Sequence, residues 1–446
     1  MTTAHWISYS LKALRVGMGT DRPDPMRTIR RAFLKTGTDA GAKSAMNGRA
    51  RRQPYSSKAH WISYSLSFER NDSMNKSENE LLDHACVDVI IEDNHAGTGG
   101  GHEGALELVL PTSKLWDCGR VLDFHFLGGT DEQKRAFRTD AAKWTQYANL
   151  LMRFDAAIDT AEFRVDFTQQ GNWSYVGLDN LGRPPGSQTM NIWNMDSILH
   201  EVGHAIGCAH EHSSPAGSIK WNKPVVYQAL GGPPNEWTKA KVDQNVFFKY
   251  DATTTQFSAF DGKSIMLYFF PANWTLDGNG TSSNKQLSAT DTGFIRRCYP
   301  GCTVDFSKPE ILTGGCTVST GPRTMFNQHY GNSWIMNQPN KSYIEVNFDQ
   351  PKTYGGQEIY RSAKLKMVHL TSMLSPKPGH SPIDIIVNGT AVKEDYSPPS
   401  GNYMTDEFDI TSLMKDGVNT VRLNFKSAGS NYWIQKLQVD CVRILS

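Results

Sequence analysis

Residues 200–212 read HEVGHAIGCAHEH, and no other stretch restricts the fold so tightly. His200 and His204 are four apart, so on an α-helix they lie on one face, a turn from each other, and can reach one ion from the same side. Glu201 follows the first histidine, which sets its carboxylate beside the ion without making it a ligand. His210 cannot share the site if the helix runs on. Ten residues from His200 would carry it roughly 15 Å along the axis. Donors to one Zn²⁺ sit within about 4 Å of each other. The chain must therefore reverse between His204 and His210. Gly207 lies in that gap, and glycine accepts the left-handed conformation that ends a helix. Asp196 or Ser197 can cap the start. Three histidines, a glycine turn and a carboxylate placed to take a proton from water describe a catalytic zinc site with one open position. His212 is read as local packing or a hydrogen bond behind the ligands. Cys208 is read as a small buried hydrophobe or half of a disulfide.

HEVGHAIGCAH resembles the zinc signature of the metzincin metalloproteases, and SIMLY (264–268) resembles their methionine turn. The resemblance implies that Met266 forms an apolar floor beneath the zinc. Glu211 after the third histidine and Tyr268 two past the methionine are similar to the astacin branch. There the tyrosine approaches the zinc at rest and swings to stabilise the oxyanion, a role suited to a phenol that donates to charge developing in the transition state. Astacins continue past the glutamate with an arginine and several aspartates, whereas His212, Ser213, Ser214 and Pro215 follow here. HEHSSP with IKWN (219–222) looks more like a bacterial and fungal astacin-like group, and the likeness spans roughly residues 110–300.

The chain of 446 residues has room for two or three domains. With 46 basic and 45 acidic residues, no charge excess suggests nucleic acid as a partner. No run of about eighteen apolar residues predicts a membrane span. Seven cysteines suit a secreted protein with a few bridges, one thiol staying unpaired within the chain. Seven N-x-S/T sequons, at Asn71, Asn75, Asn172, Asn273, Asn279, Asn340 and Asn388, point the same way. The start does not: it lacks the apolar core of a signal peptide. Residues 1–58 hold twelve Lys or Arg against three Asp, and AHWISYSL occurs at both 4–11 and 59–66. That repeat reads as a local duplication or a misassembled start, so residues 1–109 are expected to be disordered or a pro-region.

VLDFHFL (121–127) alternates like a half-buried strand. In residues 131–154, Phe137, Ala141, Trp144, Ala148 and Leu151 recur at helical spacing, which predicts one long amphipathic helix. EFRVDFT (162–168), Trp173 to Val176 and Thr189 to Ile192 supply further strands before the ligand helix. A twisted sheet with two long helices, the zincin-like arrangement, is expected over 110–300. A protein or peptide substrate would lie extended along the edge strand, with Trp173 and Trp193 candidates to line the cleft. WDCGR (116–120) does not match the inhibitory cysteine motif of some metzincins, so Cys118 reads as a disulfide partner or buried thiol.

Tyr299-Pro300-Gly301 marks a boundary. Beyond it YIEVNF (343–348), AKLKMVHL (363–370), IDIIVNG (383–389) and NTVRLNF (419–425) are strand-like with turns between, which predicts an all-β sandwich over 301–446. FDITSLMKDGVNTVRLNF (408–425) resembles galactose-binding-like jelly rolls attached to secreted hydrolases. Cys316 and Cys441 are candidates to staple it. Trp334, Tyr403 and Trp433 are available to a carbohydrate.

The expectation is an α+β chain: a secreted zinc endopeptidase with Zn²⁺ on His200, His204 and His210, Glu201 as general base and Tyr268 at the oxyanion, followed by a β-sandwich. The rival is a non-catalytic surface-binding protein with a structural metal. A purely structural zinc would normally have a fourth protein ligand, and only Tyr268 offers one.

Overall fold

The computed structural model describes residues 110–444 apart from 233–234, 258, 308–310, 329–331, 371–380 and 428–429. The expectations for residues 1–109, the repeated octapeptide, Cys86, Asn71 and Asn75 lie outside the described residues.

Two hydrophobic cores follow one another along the chain. The first contains buried side chains from Leu110 to Tyr299 and the second those from Cys302 to Cys441. In the first, the sheet order is Leu151–Arg153, Val121–Phe126, Phe163–Asp166, Met190–Asn191 and Trp173–Ser174. All neighbours are parallel except the last, an antiparallel edge strand. Phe124 stacks on Phe163 at 4.4 Å between centroids, and both are fully buried. Each such side chain contributes about 1.5–3 kcal/mol of burial energy.

The helix Asp131–Thr145 starts at a capping box in which Thr130 and Gln133 satisfy each other's backbone N–H. It ends nine residues before the expected point of 154. Phe137, Ala141 and Trp144 are its buried face, but Ala148 and Leu151 are buried off the helix. The reason is strand pairing: Leu151, Met152 and Arg153 are registered against Val121, Leu122 and Asp123, so this segment satisfies its backbone in the sheet. Apolar residues that belong to a strand happened to continue the helical spacing. The other helices of note are Ile198–Ala205 and Ala289–Cys298.

The second core lies between two antiparallel sheets. One has the order 317–320, 343–349, 418–425, 383–387, 390–396; the other has 324–327, 333–336, 432–443, 360–370, 404–409, with 301–305 also on the 432–443 strand. All four segments read as strands from sequence are strands. Inward residues alternate strictly, as in Ile344, Val346 and Phe348 facing Val421 and Leu423 across the sheet. The architecture is therefore α+β followed by an all-β sandwich.

A buried asparagine joins the cores. Asn149 donates to Pro300 O at 3.3 Å and Val439 O at 3.4 Å and accepts from Thr303 Oγ1 at 2.8 Å and Thr313 Oγ1 at 2.9 Å. Those four bonds use both donors and both lone pairs of its amide. No disulfide joins any of the six described cysteines. Cys316 packs near Thr303 O, at 3.8 Å, rather than bridging to Cys441, so the expected staple is not formed. Trp433 is buried in the last strand, while Trp334 and Tyr403 are half-buried. Among the described residues no helix is long and apolar enough to cross a membrane.

Candidate metal centre

The ligand helix, Ile198–Ala205, is buried along its whole length. It is not capped by Asp196 or Ser197. A 3₁₀ turn, Met195–Ser197, precedes it, and the Asn194 side chain accepts from Asp196 N–H at 3.0 Å. The helix ends as its glycine requires. Gly207 has φ +102°, its N–H donates to His204 O at 2.8 Å, and Cys208 N–H donates to Gly203 O at 2.9 Å. This pair of bonds is a Schellman turn, and a side chain at Gly207 would be strained there.

The turn brings His210 back to its neighbours. His204 Nε2 lies 3.1 Å from His200 Nε2 and 3.1 Å from His210 Nε2. All three ligand atoms are within 4.8 Å of one another. His200 Nδ1 is 2.8 Å from Ile265 O and His204 Nδ1 is 2.7 Å from Cys208 O. A carbonyl oxygen only accepts, so in each neutral ring Nδ1 carries the hydrogen and Nε2 presents a lone pair. Lone pairs directed at one another repel unless a cation lies among them. Tetrahedral zinc with bonds near 2.1 Å holds its ligand atoms about 3.4 Å apart. The donor set fits zinc. Burial, with His200 beside it, holds the His210 imidazole well below its ordinary range.

Met266, Tyr268, Glu201, His212 and Glu211 surround the three imidazoles or lie beside them in sequence. Met266 is fully buried, and a Cβ on Gly203, between the two helical histidines, would run into its sulfur. Tyr268 stands with its ring centroid 4.0 Å from that of His210 and 5.6 Å from that of His200. Glu201 is fully buried on the same helix. His212 packs on His210 at 5.3 Å and its Nε2 is 3.1 Å from Asn245 O, which places it behind the ligands. Glu211 is fully buried, accepts from Asp261 N–H at 2.8 Å, and burial pushes its carboxyl up to about 8. Cys208 is a buried thiol; Cys118 is half-buried, and burial pushes it up to about 11. Trp173 is half-buried, and Trp193, 49 % exposed, has its backbone N–H held by Asn172 Oδ1 at 2.9 Å.

Asp291 escaped the sequence reading. It is fully buried at the start of the helix Ala289–Cys298 and accepts from Ser264 Oγ at 2.7 Å and Ile265 N–H at 2.9 Å. It thus fixes the segment whose carbonyl orients His200. Burial raises its carboxyl, and the N–H groups of Ile265 and Ser288 oppose that rise. The signal was present as S-A-T-D (288–291), a capping box.

The model of the astacin peptidase family matches residues 109–275. The structure of myroilysin is 37 % identical over 43 % of this chain and 98 % of its own, with a TM-score of 0.42. This chain belongs to the astacin family. It is a zinc metalloendopeptidase, and the metallopeptidase likeness falls on the half that carries the three histidines. High choriolytic enzyme 1, a hatching enzyme zinc-protease from the medaka fish Oryzias latipes, is similar at 16 % identity, covering 42 % of this chain and 94 % of that one with a TM-score of 0.31. A family 35 carbohydrate-binding module from Paenibacillus barcinonensis is similar at 17 % identity, covering 31 % and 96 % with a TM-score of 0.21. A search of curated proteins returns no match.

Proposed function

We propose that the chain is a secreted endopeptidase in which His200, His204 and His210 hold one Zn²⁺ and Glu201 is the general base. The observation that carries this reading is the convergence of the Nε2 atoms at 3.1 Å while two Nδ1 atoms are committed to carbonyls. Zinc, when bound, supplies a Lewis acid that acidifies water and polarises the scissile carbonyl. Glu201 takes the proton of the attacking water and delivers it to the leaving amine nitrogen. Tyr268 donates its phenol hydrogen to the oxygen on which negative charge develops. Met266 keeps the underside of the site apolar. The substrate is a protein or peptide that lies extended beside the edge strand Trp173–Ser174. Residues 110–300 are the catalytic domain and 301–446 an accessory domain. A carbohydrate partner of that domain would use Trp334 and Tyr403, Trp433 being buried.

The test is Glu201→Gln. The variant is expected to keep one zinc per chain and to lose casein cleavage. A variant that cleaves at the parent rate would remove Glu201 from the reaction.

A further inference from the structure

An α-helix leaves its last four carbonyls without donors of its own. In the ligand helix, Gly203 O and His204 O are taken by the turn N–H groups of Cys208 and Gly207. The next two are taken by side chains from elsewhere. Trp116 Nε1 donates to Ala205 O at 2.8 Å, and the Tyr299 hydroxyl donates to Ile206 O at 2.6 Å. The same hydroxyl accepts from Trp116 N–H at 3.2 Å, so the two caps brace each other. Both residues are fully buried. Neither is among the three ligands; they hold the segment that carries the chain from His204 to His210.

Both caps are fixed from the sandwich. Arg443, the last residue of the strand Tyr432–Arg443, donates from Nη1 to Trp116 O at 2.7 Å and to Cys298 O at 2.9 Å. Its guanidinium carbon lies 5.4 Å from the Tyr299 ring centroid. One planar cation therefore ties down the backbone of the first cap and the residue before the second, and it covers the ring of the second. Both bonds leave one nitrogen, so an ammonium on a flexible stem reproduces the charge and can reproduce those bonds, but not the planar cover of the Tyr299 ring.

We infer that Arg443 is a positioning residue for the metal-binding turn, through which the sandwich acts on the zinc site. The inference rests on the reading that the three imidazoles hold zinc. It makes the β-sandwich a working part of the peptidase rather than a tethered passenger.

The experiment uses the full chain and four variants: Tyr299→Phe, Arg443→Ala, Arg443→Lys and Asn149→Ala. The last removes the side-chain bonds at the junction between the cores but keeps the backbone bond from Asn149 N–H to Tyr299 O at 2.9 Å, so both cap hydrogen bonds to the ligand helix stay in place. Zinc affinity is read by competition with a chromogenic chelator, and site geometry by the visible bands of the cobalt-substituted protein. Tyr299→Phe and Arg443→Ala are expected to bind zinc about tenfold more weakly with shifted cobalt bands, as when a group behind a ligand is lost. Arg443→Lys should recover part of the affinity. Asn149→Ala should lower Tm yet keep its affinity within about twofold, since it leaves the ligands' supports intact. Wild-type affinity in Arg443→Ala overturns the inference, and so does an equal loss in Asn149→Ala. If Arg443→Ala does not fold, Arg443→Lys with wild-type affinity and unshifted bands overturns it instead. A wild-type chain that binds no zinc overturns the metal reading and the inference together; zinc binding with unshifted variants overturns the inference alone.

Discussion

His204 in the ligand helix and His369 in the sandwich are both fully buried, and each has a ring nitrogen within 2.7 Å of an oxygen. They differ at the second nitrogen. His369 Nδ1 is 2.6 Å from the Tyr432 hydroxyl and its Nε2 is 2.8 Å from Asp406 Oδ2, so tyrosine and carboxylate complete it from two other strands. His204 Nε2 instead faces the Nε2 atoms of two more histidines. A histidine with an acceptor on one side and a hydroxyl donor on the other is a finished structural element. Histidines that turn their Nε2 lone pairs toward each other are finished only by a cation. Burial and residue type do not separate these roles; the partner of the second nitrogen does.

The strongest way to break that contrast is to delete each ring. His204→Ala should lose bound zinc and lower kcat/KM by at least about 10⁴, because the chemistry depends on the site it completes. His369→Ala should leave zinc content and kcat/KM within about twofold, since a hydrogen bond remote from the reacting atoms is not part of transition-state binding. It should instead cost about 2–4 kcal/mol of stability, read as a lower urea midpoint, because Asp406 and Tyr432 lose their partner. Metal loss in His369→Ala would erase the distinction.

A smaller effect sharpens the contrast at the turn. Gly207→Ala places a side chain at φ +102° and within 3.3 Å of Lys114 O. It should cost about 1–2 kcal/mol in thermal unfolding. Because this residue alone reverses the chain toward His210, zinc affinity should fall as well. A substitution with equal thermal cost inside the sandwich should spare it.

The smallest effect is in the pH dependence of the sandwich. The hydrogen bond from His369 holds the Asp406 carboxyl below its ordinary value of 3.8, so the native state binds this proton less readily than the unfolded chain. Its contribution is complete above that ordinary value and is lost as pH falls through the lower native one. The stability difference between wild type and Asp406→Asn should therefore shrink as pH falls from about 5 to about 2. A difference that is flat over that interval would remove Asp406 from the network's electrostatics.

Much of the metal centre was legible because its logic is local. Four-residue spacing, a glycine and a third histidine dictate a helix, a reversal and a convergence, whatever surrounds them. The sandwich strands were legible for a similar reason, since alternation records which face of a strand is buried. What could not be read was set by partners distant in sequence. Leu151 looked like another turn of helix until its pairing with Val121 made it a strand. Asn194 took the cap expected of Asp196 or Ser197, because a 3₁₀ turn shifted the start. Trp116, Tyr299 and Asp291 act across separations of 89, 93 and 26 residues, and no periodicity records such contacts. Trp433 looked available to a ligand because its strand, the longest in the sandwich, was not recognised.

The central claim is that three imidazoles and a reversal at Gly207 form one zinc site. X-ray absorption on the purified, zinc-loaded full chain tests it most directly. The account predicts one zinc per chain with three imidazole nitrogens at about 2.0–2.1 Å, falling to two in His210→Ala. A spectrum that keeps three imidazoles when His210 is removed, or that shows sulfur at about 2.3 Å, would contradict it.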